Sequence, residues 1–254
     1  MTTRRFTIAP AQRDGDRVTF DREESHHIAR VLRLAAGATI VAVDGRGEAL
    51  TVRLDQVGST VTGLVIAVSA HDTTSPLSIT LVQGLPKGDK FETVIRGVTE
   101  LGAARIAPAL TARTVVRLDP ARSATRVERW ARVAREATKQ CGRSHVPVVE
   151  PPRPLEAWLT EPAADDTLRL CLWEEESAPL VRVLSERATP PRAARIVIGP
   201  EGGLTAEEVG LARREGWRVV GFGPRLLRTE TAGPAVLAVL QFHYGDLGAA
   251  GAGR

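Results

Sequence analysis

No apolar run in this chain approaches the ~20 residues that a membrane-spanning helix requires. The opening Met-Thr-Thr-Arg-Arg-Phe lacks the apolar core of a secretion signal. Both absences point to a cytoplasmic address. Cysteine is scarce. Cys141 and Cys171 stand without metal-ligand spacing or a redox motif, and both are expected to be small buried hydrophobes. There is no serine–histidine–acid signature, no zinc-ligand pattern, no Gly-x-Gly-x-x-Gly and no phosphate loop ending in Gly-Lys-Ser/Thr. A chain without these groups is expected to draw its chemistry from a cofactor that carries its own reactivity. What is present, 43% apolar and 25% charged residues over 254 positions, suits one large globular domain or two small ones.

Net charge is only +4, but its placement is uneven. Residues 1–75 balance nine arginines against nine acids. Residues 112–143 carry nine cations, at 113, 117, 122, 126, 129, 132, 135, 139 and 143, against acids at 119, 128 and 136. Arg132, Arg135, Lys139 and Arg143 recur three or four residues apart and so share one side of a helix. Such a stripe fits either a phosphate backbone or a solvated outer face.

Residues 1–72 read as a small β-domain. Short strand candidates at 18–20, 38–43, 49–54 and 60–68, with a hairpin signal at Asp44-Gly45, suggest a barrel. A helical insert over 25–34 places Ile28, Val31 and Leu32 on an apolar stripe and His26, Arg30 and Arg33 on another face. The His26-His27 pair has no third metal ligand nearby, so no metal is expected; an RNA-facing or capping role fits better. The polar segment 71–76 marks a domain boundary. Beyond it strands and helices alternate, which predicts an α/β fold. A strand from Leu77 leads to a helix over 87–101. A strand at 105–110 follows, then a helix capped by Ser123 and stopped by Gly142. Pro151-Pro-Arg-Pro is a rigid connector to a strand at 168–173, and a helix runs from about 179 to 187. Thr205-Ala-Glu-Glu208 is a capping box. Gly233-Pro234 is expected to open a closing helix that is apolar nearly all round, and such a helix needs cover on more than one side.

Chemistry concentrates in two runs of Ile and Val that break into glycine and proline: Ile196–Gly203 and Val219–Ala232. They read as buried strands whose neighbouring ends offer bare peptide groups to one small molecule. A third strand end at Leu172, Trp173 and Glu174 strengthens that reading, with Gly199, Gly202 and Gly203 supplying the close approach. Leu226 and Leu227 are placed to cover a flat ring. Arg228 and Glu230 are candidates either for contacting substrate or cofactor or for an internal salt bridge that shapes the loop.

Ile198-Gly-Pro-Glu-Gly-Gly203, Phe222-Gly-Pro-Arg-Leu-Leu-Arg-Thr-Glu-Thr-Ala232, Gln140-Cys-Gly-Arg143 and His26-His-Ile-Ala-Arg-Val-Leu-Arg33 together resemble the bacterial ribosomal RNA small-subunit methyltransferase E family, over nearly the whole chain. The resemblance implies an N-terminal PUA-like β-barrel over 1–72 and a C-terminal SPOUT α/β domain with a deep trefoil knot over 73–248, with a flexible tail at 249–254. It implies S-adenosylmethionine as cofactor, a homodimer, and methylation of N3 of one uridine in 16S (small-subunit) ribosomal RNA, with the 30S subunit as partner. It places the cofactor against Leu172, Ile198, Gly199, Gly203, Phe222, Gly223, Leu227 and Arg228, with Thr231 and Ala232 closing the loop. Arg228 is expected to stabilise charge on the base, and Glu230 to accept a proton or to orient Arg228. His26, Arg30, Arg33, Arg132, Arg135, Lys139 and Arg143 are expected to hold RNA phosphates. Two positions depart from the family pattern: Lys139 stands where many members have Glu, and Phe222 where Leu is usual. A methyltransferase of the same class acting on transfer RNA, or a ribosome-assembly protein without catalysis, remain the alternatives.

Overall fold

A computed structural model of the chain describes residues 5–45, 47–70, 72–115, 120–176 and 178–248. His71, Arg117, Asp119 and the tail 249–254 lie outside the described residues. The chain divides into two compact units, Met1–Thr74 with Arg135–Val146, and Ser75–Ala134 with Pro147–Arg254.

In the first unit, strands β1 (Arg5–Thr7), β2 (Arg13–Asp14), β3 (Arg17–Thr19), β4 (Thr39–Val43), β5 (Glu48–Gln56) and β6 (Thr62–Ala70) form one sheet in the order β1-β4-β5-β6-β3-β2. Only the β1–β4 pairing is parallel. Alternate residues of these strands bury Phe6, Val18, Ile40, Leu50 and Val52 in one core, joined by Ile8 just beyond β1. The Asp44-Gly45 turn joins β4 to β5; Gly45 has φ +70°, and the Asp44 carboxylate accepts the Glu48 N–H at 3.0 Å. The insert begins earlier than its apolar stripe suggests. Helix α1 runs over Arg22–His26, capped by Asp21, whose carboxylate accepts the Glu24 N–H at 2.8 Å. It widens into a π-turn over His27–Val31. The wider turn rotates the stripe, so Ile28 is buried while Val31 is 61% exposed.

The second unit carries β7 (Ser78–Gly84), α2 (Lys90–Glu100), β8 (Ala103–Leu110) and α3 (Pro120–Cys141), whose last turns belong to the first unit. There follow β9 (Val148–Val149), β10 (Arg153–Pro154), α4 (Leu155–Leu159), β11 (Leu168–Leu172), α5 (Leu180–Ser185), β12 (Ala193–Ile198), α6 (Ala206–Arg214), β13 (Arg218–Val220) and α7 (Thr229–Tyr244). The sheet is parallel throughout, in the order β10-β8-β7-β12-β11-β13, with β9 also on β8. Its central strands are mostly buried, with Ile79, Leu81 and Val82 of β7, Leu170 and Cys171 of β11 and Ile196, Val197 and Ile198 of β12 all in the core. The capping box on α6 forms as expected: Thr205 Oγ1 accepts from the Glu208 N–H at 3.2 Å and Glu208 Oε2 from the Thr205 N–H at 2.9 Å.

Two helix starts differ from expectation. Helix α3 begins at Pro120, so Ser123 lies inside its first turn rather than capping it; proline fits a first turn because its missing N–H has no partner there anyway. Helix α7 begins at Thr229, and Pro234 stands inside it. The Thr229 hydroxyl is tied to another loop, and the Thr231 and Ala232 N–H groups both donate to the Arg228 carbonyl at 2.9 Å. These bonds start the helix before its proline, whose ring faces Gly97 of α2. The cysteines also part company. Cys171 is buried, and burial pushes its thiol up to about 12, whereas Cys141 is exposed at the end of α3.

Below the sheet, Glu161 accepts bonds from Arg105 at 2.8 and 3.1 Å and from Arg153 at 2.8 Å, with Arg195 at 3.3 Å. The Arg153 guanidinium stacks 3.4 Å from the centroid of Trp158. Arg105, ahead of burial, holds the Glu161 carboxyl down from the usual 4.5 to about 2. A depressed carboxylate stabilises the fold above its unfolded pKa, and that contribution fades as pH falls toward 2. Glu161→Gln is expected to cost about 1–2 kcal/mol near neutral pH, after allowing for partial exposure, and much less near pH ~2. Urea melts at both pH values check this; an equal loss at each would remove the ion pairs from the account.

Candidate active site

Three loops leave the carboxyl ends of β12, β11 and β13 side by side. Strands β12 and β13 are not neighbours, as the sequence suggested; they flank β11. Strand order in a parallel sheet is set by the crossovers, which no local pattern records. The loops enclose a cavity of about 560 Å³. It brings together Leu172, Trp173, Glu174, Ile198, Gly199, Gly202, Gly203, Phe222, Gly223, Leu227, Arg228 and Ala232. Thr231 is left out: it is exposed on α7. Leu226 reaches the wall but is 84% exposed, so Leu227 is the leucine that is partly covered.

Glycine is required in these loops for close packing. A Cβ on Gly199 would lie 2.8 Å from the Gly203 carbonyl carbon and 3.1 Å from the Leu204 nitrogen. One on Gly221 would collide with the Glu176 carbonyl oxygen. Gly203 adopts φ +71° and donates its N–H to Pro200 O at 2.9 Å, which closes the turn. Arg113 braces the turn from outside, its Nη1 donating to Gly202 O at 2.5 Å.

Charged groups gather at one side. The Glu201 carboxylate accepts the Lys87 N–H at 3.1 and 3.3 Å and the Lys90 ammonium at 3.0 Å. Burial alone would raise its pKa, but these hydrogen bonds hold it below the usual carboxylate range. The same bond to Glu201 lifts Lys90 above the usual lysine range. The Lys90 ammonium also stands 3.8 Å from Glu230 Oε2, a buried oxygen without a hydrogen-bond partner among the described residues. Arg228 is exposed, and no ion pair joins it to Glu230 among the described residues. Lys90, Glu201 and Thr229 escaped the sequence reading, since their partners lie far along the chain.

One buried polar group supports both loops. Gln83, fully buried at the end of β7, donates from Nε2 to Thr229 Oγ1 at 2.8 Å, Gly84 O at 3.1 Å and Gly199 O at 3.3 Å. The Thr229 hydroxyl donates onward to Gly199 O at 2.6 Å. A glutamine closing the apolar run 77–82 was the available signal.

The residues expected to face RNA divide. His26, Arg30 and Arg33 are exposed in the first unit, and Arg132 and Arg135 are exposed along α3. Lys139 is turned inward: its ammonium is 2.7 and 2.9 Å from the two oxygens of buried Glu24, and 5.7 Å from the Phe6 ring centroid. That pairing withdraws it from the exposed stripe. Arg143 is half-buried and already engaged. Among the described residues no group of three or more His, Cys, Asp or Glu could hold a metal, and no helix is long and apolar enough to cross a membrane.

Comparison with known proteins agrees with this geometry. Residues 73–241 match a family model described as an RNA methyltransferase domain, and residues 20–57 one described as an RNA methyltransferase PUA domain. The ribosomal RNA small subunit methyltransferase E of a Synechocystis species is 35% identical over 92% of this chain and 76% of that protein. Its Bacillus subtilis counterpart is 34% identical over 87% of this chain and 88% of that protein. Among solved structures, the Neisseria gonorrhoeae ribosomal RNA small subunit methyltransferase E, bound to S-adenosyl methionine, superposes with a TM-score of 0.86 at 30% identity, over 96% of this chain and 99% of that one. A Legionella pneumophila structure in complex with the same cofactor gives 0.89 at 31% identity, over 97% and 100%.

Proposed function

We propose that this chain, which belongs to the ribosomal RNA small subunit methyltransferase E family, transfers a methyl group from S-adenosylmethionine to N3 of one uridine in 16S ribosomal RNA. The observation that carries the reading is the cavity at three strand ends. Its size of about 560 Å³ is ordinary for a small-molecule site. Its apolar walls at Leu172, Ile198 and Leu227 suit an adenine ring, and its glycine turns let a ligand approach the main chain. At the edge, the Glu230 oxygen without a partner among the described residues is left open to a proton donor on the substrate base. The apolar walls and glycine turns therefore fit the cofactor.

When bound, S-adenosylmethionine supplies an electrophilic methyl on a positively charged sulfur. The protein's task lies with the base. Uridine N3 is a nucleophile only once its proton leaves, and the negative charge then spreads onto the flanking carbonyl oxygens. Arg228, which pairs with no carboxylate among the described residues, is the group we assign to that charge. Glu230 accepts the N3 proton, and Lys90 keeps a positive charge beside it. The new N–C bond forms as the methyl–sulfur bond breaks, and that bond's electron pair stays on sulfur. Holding N3 and the methyl in line requires the base to be unstacked from its helix.

Residues 1–72 form the RNA-holding PUA-like barrel and 73–248 the catalytic SPOUT domain in this reading, with the cytoplasm as the site of action. A homodimer accounts for the apolar residues that α7 leaves in solvent, Val239 and Phe242. Mass spectrometry of 16S ribosomal RNA from cells with and without the protein tests the assignment: loss of one N3-methyluridine is expected, and an unchanged pattern overturns it. RNA binding is also expected to be steep in salt. If about four phosphates are neutralised, affinity falls about 50-fold between ~50 and ~200 mM salt. Replacing Arg132 and Arg135 together by Ala should flatten the log–log slope by about 1–2. A slope that does not move removes this face from the interface.

A further inference from the structure

Gln83 is the least expected residue of the second unit. It lies on β7, between β8 and β12, where a two-sided parallel strand calls for an aliphatic side chain. A buried amide there is unfavourable unless it is hydrogen-bonded. Its orientation is determined by its surroundings, because three acceptors converge on Nε2 and none of them offers a proton to it. Oε1 is left buried without a partner among the described residues, packed beside Gly233 of α7. A residue selected for stability alone would not leave that oxygen unpaired.

Two of the three bonds that Gln83 makes fall on residues that line the cavity, Thr229 and Gly199, and the third goes to its own neighbour Gly84. Its amide and the Thr229 hydroxyl both point at the Gly199 carbonyl, so the β12 turn, the end of β7 and the first residue of α7 are joined at one oxygen. Thr229 is the first residue of α7, between Arg228 and Glu230. We infer that Gln83 is a positioning residue: acting through Thr229 and Gly199, it sets the first turn of α7 so that Arg228 and Glu230 stand at the cavity. This rests on the proposed function for its catalytic consequence, and on the hydrogen bonds alone for its mechanical one.

The test uses Gln83→Met, which keeps volume and removes both polar atoms, alongside Thr229→Val and Thr229→Ser. Melting temperature, amide hydrogen exchange at 229–233, calorimetric binding of S-adenosylmethionine, and methyl transfer to 16S ribosomal RNA are measured on each. Gln83→Met should melt within a few degrees of the wild type, since an apolar replacement also relieves the unpaired oxygen. It should nonetheless exchange the 229–233 amides about tenfold faster and bind the cofactor about tenfold more weakly. Thr229→Val should repeat both changes, Thr229→Ser should restore them, and the double variant should be no worse than either single one, as expected of one unit. Wild-type exchange and affinity in Gln83→Met overturn the inference. So does a loss that tracks only a lower melting temperature. Because exchange needs no ligand, a wild-type chain that binds no cofactor sinks the functional reading and leaves this one to be decided by exchange alone.

Discussion

Gly199→Ala is expected to bind S-adenosylmethionine at least about 100-fold more weakly than the unaltered chain. The reason is contact rather than backbone angle, because Gly199 is not among the residues with positive φ. Its Cβ would sit 2.8 Å from the carbonyl carbon of Gly203, 3.0 Å from the Gly203 Cα and 3.1 Å from the Leu204 nitrogen. All three are main-chain atoms of the opposite arm of the same turn, so no flexible side-chain end can swing aside. The turn must open, and it carries the Gly199 carbonyl with it, which breaks the bonds from Thr229 and Gln83. Overpacking of this kind costs about 1–3 kcal/mol in stability, which for a chain of this size lowers the melting temperature by several degrees. Binding suffers more, because a shift of about 1 Å in a positioned loop is worth roughly two powers of ten. Gly210→Ala is the control. Gly210 lies on α6 with only an arginine tip 3.6 Å away, so Ala there should stabilise the helix slightly and leave cofactor affinity unchanged. Calorimetry on the two variants decides the matter: wild-type affinity in Gly199→Ala would mean that the cofactor does not rest on this turn.

The features legible in the sequence were those whose cause is local. Strand ends show because glycine and proline interrupt Ile and Val, as at 199–203 and 221–224. The α6 cap shows because Thr205 and Glu208 satisfy one another within a single turn. Features that depend on distant partners did not show. The start of α7 is set by bonds from Thr229 to residues 30 and 146 positions away. Lys139 lies at stripe spacing, yet it turns inward because Glu24, 115 positions earlier, waits there buried. Lys90 enters the cavity wall through Glu201, 111 positions later. Periodicity reports which face a residue occupies on its own helix; it carries no information about what another segment places against that face.

The same distinction separates two carboxylates that both stand beside the Lys90 ammonium. Glu201 sits in the glycine turn and looks catalytic by position. Its carboxylate is fully engaged by the Lys87 N–H and the Lys90 ammonium, so its role is to fasten the turn to the start of α2. Glu230 lies outside the glycine turn, and it retains a buried oxygen that has no hydrogen-bond partner among the described residues and stands beside a cation. The availability of lone pairs, rather than motif membership, marks the group able to receive a proton.

Arg228→Ala is expected to lower kcat for methyl transfer by about 100- to 1,000-fold while changing cofactor affinity only a few-fold, the loss typical of removing one group that stabilises developing charge. Three observations combine in that expectation. The guanidinium is exposed and unpaired by any carboxylate among the described residues, so its removal leaves no orphaned charge, and the melting temperature should hold. It stands immediately before Thr229, which the Gln83 network anchors, so its backbone position is fixed although its side chain is free. It lies at the start of α7, where the helix dipole also favours a nearby anion. In the proposed reaction a base losing its N3 proton develops that anion at this end of the cavity. Arg228→Lys should recover only part of the rate, since an ammonium keeps the charge but loses the planar fork that matches a delocalised anion. Raising pH should partly rescue Arg228→Ala, because a base deprotonated by solvent needs less help from the protein; Glu230→Gln should be rescued more strongly by the same change, as it lacks the proton acceptor itself. Near-normal turnover in Arg228→Ala would take the residue out of the mechanism. A loss confined to cofactor affinity would reassign it from the base to the cofactor.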